Sequence, residues 1–136
     1  MGLTEENRKD IVEYRIERAF VAMEQAKGNL KMGYLEITAN RLYYAAYYAA
    51  SALLIANEIR VKSHEGCIGQ FSLHFIKTGL VSAEMGKLFS TLFDMRLTGD
   101  YSDRFDLTED DVVPNIQPTE EFITLVTNMA KNKLGL

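Results

Sequence analysis

With 136 residues, 47% hydrophobic and 25% charged, the chain has the composition of one folded domain, long enough to bury roughly two-thirds of its unfolded surface. A net charge of −4 and an isoelectric point of about 5.2 argue against general coating of nucleic acid but leave a local basic cleft open. No run approaches the roughly 18 apolar residues of a membrane span, no charged-then-apolar leader opens the chain, and a lone Cys67 suits a reducing compartment, so a cytoplasmic protein with no membrane contact is expected.

Helical periodicity dominates the chain up to its two prolines, Pro114 and Pro118. The first predicted helix spans about residues 4–32, where Val12, Ile16, Ala19, Met23, Ala26 and Leu30 step by fours and threes into one apolar stripe. Thr4 is placed to cap it, Glu5 and Glu6 suit its first turn, and Gly33 ends it. The second spans about 34–57 and is apolar on nearly every side, which marks a central helix or one that also meets another subunit. Its alanines let neighbours approach while its tyrosines fill the space between them.

The third helix is expected from Ser63, a fitting cap, to about Thr78, with Ile68, Phe71 and Phe75 inward and Gly79 as the stop. The fourth begins at Ser82 and reaches about Leu97. Met85, Leu88, Leu92 and Met95 line one face, with Phe89, Phe93 and Arg96 beside it. Residues 99–117 turn polar and acidic, although Thr108 with Asp111 can start one helical turn before Pro114. The last helix starts near Pro118, with Phe122, Leu125, Val126 and Met129 inward and Lys131 and Lys133 at its C-terminal end. The expectation is a single all-α domain over residues 1–136: an up-down bundle of four main helices plus a shorter C-terminal helix.

Few residues offer chemistry. His64 and His74 are ten apart, about 80° around one helix, and Cys67 has no cysteine partner, so neither a metal site nor a cofactor is expected. Cys67 itself reads as a small buried apolar residue. Tyr43, Tyr44, Tyr47 and Tyr48 fit either core and dimer packing or stacking on RNA bases. Arg41, beside so much apolar surface, calls for a carboxylate partner, and Asp100 is the one expected. The most specific feature is Arg96-Leu97-Thr98-Gly99-Asp100-Tyr101, where the glycine is expected to turn the chain and bring Asp100 and Tyr101 to the guanidinium. That corner reads either as a cation at its helix dipole tied to Asp100, or as a phosphate-binding corner.

Here the chain resembles a family. Asn40-Arg41-Leu42-Tyr43-Tyr44-Ala45-Ala46-Tyr47-Tyr48 and on to Leu54 resembles the second helix of HEPN proteins. Lys62-Ser63-His64-Glu65-Gly66 is similar to the start of the third helix in one of its branches, and Arg96-x-x-x-Asp100-Tyr101 to that branch's ending of the fourth. The resemblance implies a homodimer with a cleft where the fourth helices meet, and often a minimal nucleotidyltransferase as partner in toxin–antitoxin or defence settings. Active relatives are metal-independent RNases built on Arg, four to six residues, then His. Counted from Arg96, that histidine falls at 101, 102 or 103, where Tyr101, Ser102 and Asp103 stand. Arg60 and His64 have only three residues between them and lie elsewhere.

The leading expectation is therefore a dimeric HEPN-type binding module, able to take RNA or a nucleotide, whose cleft is organised by Arg96, Asp100 and Tyr101, with Arg41 and His64 as further ligand-binding candidates. The alternatives are a metal-independent endoribonuclease toxin that recruits His64, and a structural helical adaptor.

Overall fold

A computed structural model describes residues 3–101 and 106–136, with backbone alone at 100 and 101. The described residues form helices and turns, with no strand among them. In chain order these are α1 (Glu5–Lys31), α2 (Leu35–Ala56), α3 (His64–Phe71) running on through a π-helical turn at Ser72–Ile76, α4 (Ala83–Tyr101), the single turn α5 (Glu109–Val112) with a 3-10 turn at Val113–Asn115, and α6 (Ile116–Leu134).

The helix starts follow from local chemistry. Thr4 accepts from the Asn7 amide at 3.1 Å, Ser63 from Gly66 at 2.9 Å and Ser82 from Met85 at 3.3 Å. Thr108 and Asp111 form a reciprocal capping box. Gly33, with φ +79°, turns α1 into α2. The two helices then run antiparallel in one register, for Arg8 bonds Glu58, Arg15 bonds Ser51, and Arg41 bonds Gln25.

The hub is α2, which packs against α1, α3, α4 and α6. Ala45, Ala46, Ala49, Ala50 and Ala52 are fully buried, so several backbones approach it closely. An aromatic triangle closes the core on the other side: Phe71 of α3, Phe89 of α4 and Phe122 of α6, with ring centroids 5.5–5.8 Å apart. Buried Thr38, Thr119 and Thr127 each donate to the carbonyl four residues back, so no hydroxyl is stranded among them.

Four expectations need correction. The last helix is not short: α6 has 19 residues, as many as α4, and begins two residues before Pro118. Proline sits there at the third helical position, where its missing N–H has no intrahelical acceptor to lose. Leu125 is 39% exposed, and Ile123 takes the inward place with Phe122, Val126 and Ala130. The third helix changes pitch at Ser72. Its buried residues Cys67, Phe71 and Phe75 recur every four, which overshoots an α-helical turn by about 40° per step, and a π turn absorbs the excess. Finally, α4 continues through Gly99 to Tyr101. Gly99 serves close packing instead: a β-carbon there would stand 3.2 Å from Leu107 and 3.5 Å from the Glu36 backbone.

Gly28 is the opposite case, lying in the last turn of α1 with open space around its missing β-carbon. Gly28→Ala is expected to stabilise the fold by about 0.5–1 kcal/mol, read as a higher urea midpoint at unchanged slope.

Candidate functional site

The site is assembled by periodicity on two helices. On α4, Phe89, Phe93 and Arg96 step by four and three along one line. Phe89 and Phe93 lie 6.2 and 5.6 Å from the Tyr43 ring, so Arg96, one turn further on, arrives over the same ring. Its guanidinium carbon is 5.4 Å from the centroids of both Tyr43 and Tyr44. Three residues before Tyr44 on α2, Arg41 places its own guanidinium 5.0 Å from the Tyr44 centroid. One tyrosine ring therefore carries two cations, in a chain whose net charge is negative.

His64 enters from the first residue of α3, aimed by the cap at Ser63. Its Nδ1 is 2.7 Å from the Tyr43 hydroxyl. Its ring stacks on Tyr47 at 4.5 Å and 18°, and stands edge-on to Tyr44 at 5.6 Å. Burial, and then the positive charge of Arg96, lower the His64 pKa below its ordinary 6.5, so the imidazole is neutral at pH 7. Burial also raises the Tyr43 pKa, chiefly, and the phenol keeps its proton. Two tautomers satisfy the Tyr43–His64 bond. With the phenol donating, Nε2 carries the proton; with the phenol accepting, Nε2 presents a lone pair.

The lowered pKa has a consequence for stability. The unfolded chain takes up the His64 proton near pH 6.5 while the folded chain resists it. This contribution is complete above pH 6.5 and is lost as pH falls towards the folded value. Thermal melts from pH 7.5 to 5.5 are expected to show a falling Tm, and His64→Gln a flatter one; equal slopes would remove His64 from the account.

Of the residues singled out from sequence, Arg96, Arg41 and His64 converge on Tyr43 and Tyr44. Arg41 donates to Asn40 Oδ1 at 2.7 and 3.0 Å and to Gln25 Oε1 at 3.1 Å, two partners that sequence reasoning missed. The side chains of Asp100 and Tyr101 lie outside the described residues, and so does the expected Arg41–Asp100 pairing. His74 stands apart, bonded to Gln70 at 3.1 Å. Of the tyrosine run, Tyr43 is fully buried and Tyr44, Tyr47 and Tyr48 are half-buried against the core. Cys67 is buried beneath, its thiol pushed up to about 12 by burial, which leaves it unreactive at neutral pH. Among the described residues no three His, Cys, Asp or Glu side chains converge as metal ligands, and no helix is long and apolar enough to cross a membrane.

Comparison with known proteins supplies the context. The HEPN domain family pattern matches residues 12–130. A UPF0332 protein of Thermotoga maritima is 34% identical over 125 residues, covering 92% of this chain and 95% of its own. A UPF0332 protein of Archaeoglobus fulgidus is 31% identical over 124 residues, covering 91% and 98%. A Methanocaldococcus jannaschii protein named as a candidate toxin, MJ0142, is 27% identical over 100 residues, covering 74% and 68%.

Proposed function

The chain belongs to the HEPN domain family, and from that premise we propose that it is a dimeric binding module whose Arg96 corner receives RNA or a nucleotide. In this reading a minimal nucleotidyltransferase is its partner in a toxin–antitoxin or defence setting. The observation that carries the reading is the pair of guanidinium groups laid on Tyr44 beside a neutral imidazole. Two guanidinium groups over one aromatic ring concentrate positive charge where a phosphate can meet it, in a chain whose net charge is negative. Asp100 and Tyr101 follow Arg96 by four and five residues in the sequence, and in this reading they belong to the same corner. The relatives named as candidate toxins support the toxin–antitoxin context.

A second reading has its own support, because His64 and Arg96 flank the same two tyrosines. In a metal-independent endoribonuclease, Arg96 would stabilise charge developing on the phosphate. The lone-pair tautomer of His64 would take the 2′-hydroxyl proton. One experiment separates the readings: purified protein with RNA, with and without EDTA, beside Arg96→Ala and His64→Gln, its mass measured by light scattering. The binding module is expected to be a dimer that retains RNA without cutting it and loses that retention in Arg96→Ala. EDTA-resistant cleavage abolished by both substitutions would replace it with the nuclease. A monomer that neither binds nor cuts would leave the helical adaptor.

A further inference from the structure

A cavity of about 600 Å³ lies at the C-terminal end of α2 and shares only Tyr47 with the surroundings of the Arg96 corner. Arg8, Arg15 and Arg60 line it, and Glu58 is the one carboxylate among its lining residues. We propose that this cavity is a second site, which binds a phosphorylated organic molecule of about mononucleotide size.

Charge is the first argument. Glu58 answers Arg8, at 3.0 Å. Arg15 donates to the neutral hydroxyl of Ser51 at 3.1 Å and, among the described residues, meets no carboxylate. Arg60 is exposed at the rim. Among the described residues two positive charges are therefore left over, which matches the roughly −1.5 to −2 of a phosphomonoester at neutral pH better than the single charge of a carboxylate. Shape is the second argument. Tyr47 with Ile55, Ile59 and Val61 forms an apolar wall that inorganic phosphate would leave wet, so the ligand carries an apolar body behind its anionic head. The volume lies within the range of small-ligand sites.

The backbone supplies a third argument. Glu58 stands in the left-handed region at φ 61°, just past the end of α2, where glycine or asparagine is the relaxed choice. Its side chain is 70% exposed, whereas that of its partner Arg8 is 14% exposed. An inward guanidinium is thus covered from outside by a carboxylate on strained backbone, an arrangement suited to exchanging one anion for another.

The site stands on different side chains from the Arg96 corner, so the two can fail separately. The test measures binding of adenosine and uridine monophosphate, their nucleosides and inorganic phosphate to the full chain, by calorimetry and by thermal shift. The monophosphates are expected to bind and raise the Tm, the nucleosides not to, and phosphate to bind more weakly. In an Arg96→Ala background, which removes any binding at the other corner, the monophosphates are still expected to bind, and adding Arg15→Gln with Arg60→Gln should weaken them roughly tenfold or more. No binding at millimolar monophosphate, equal binding of nucleosides, or loss confined to Arg96→Ala would each overturn the proposal. Should the double variant fail to fold, Arg60→Gln alone, at an exposed position, is expected to weaken binding several-fold. Unchanged affinity there would also overturn the proposal.

Discussion

Phe122→Ala is expected to destabilise the protein by about 3–5 kcal/mol, a fall in Tm of ten degrees or more, if the chain folds at all. Phe122 has no exposed surface, and its ring sits 5.5 Å from Phe71 and 5.7 Å from Phe89. Truncation therefore loses the transfer of a whole ring, opens a cavity at the junction of α3, α4 and α6, and removes two of the triangle's three aromatic contacts. Leu125, three residues on, is the control. At 39% exposed it has much less buried surface to lose, and Leu125→Ala is expected to cost about 1 kcal/mol or less. Urea melts of both variants check the pair. Similar losses would mean that α6 packs with a different face inward.

Arg96→Ala is expected to lower stability by about 1–3 kcal/mol as well as emptying the site. The arginine's two ring contacts, over Tyr43 and Tyr44 in a half-buried position, contribute about 0.5–1.5 kcal/mol each. The same substitution removes a positive charge that holds down the His64 pKa, so the imidazole should titrate closer to 6.5. Proton NMR of the His64 ring against pH reads this directly. Arg96→Lys keeps the charge but not the planar fork, so it should hold the His64 midpoint while losing ligand retention. A midpoint unmoved in Arg96→Ala would separate the two side chains and weaken the nuclease reading first.

The sequence was readable wherever a local rule met no competition. Thr4, Ser63, Ser82 and Thr108 each head a helix because a short side chain can satisfy a free amide regardless of what packs nearby. The α1 stripe from Val12 to Ala26 is buried as its spacing requires. Errors arose where tertiary packing decided. Gly99 is equally good as a helix stop and as a crossing point, and only the proximity of Glu36 in α2 distinguishes them. The π turn follows from buried residues four apart, a signal present in Cys67, Phe71 and Phe75 but shared with many ordinary helices. In the site, the Phe89–Phe93–Arg96 line was legible, whereas the partners of Arg41, Asn40 and Gln25, were not. The stacking of His64 on Tyr47 was not, because it depends on how the link from α2 to α3 returns the chain. The cavity of Arg8, Arg15 and Arg60 was hidden for the same reason: its members come from α1 and from the segment after α2, far apart in sequence.

The position of α2 at the hub has a kinetic corollary. Every other long helix leans on it, so its amides between Leu42 and Leu54 have no local route to solvent, and they should exchange hydrogen only when the whole molecule unfolds. The segment of α3 and its π turn is different: short, with Leu73 and His74 exposed, and anchored mainly through Cys67, Phe71 and Phe75. Its amides should exchange through small openings long before the rest. His64 therefore rides on a segment expected to open early, while the tyrosines it meets are fixed to the central helix α2. Breathing of that one segment sets how often the imidazole and its tyrosine partners separate, without disturbing the arginines on Tyr44.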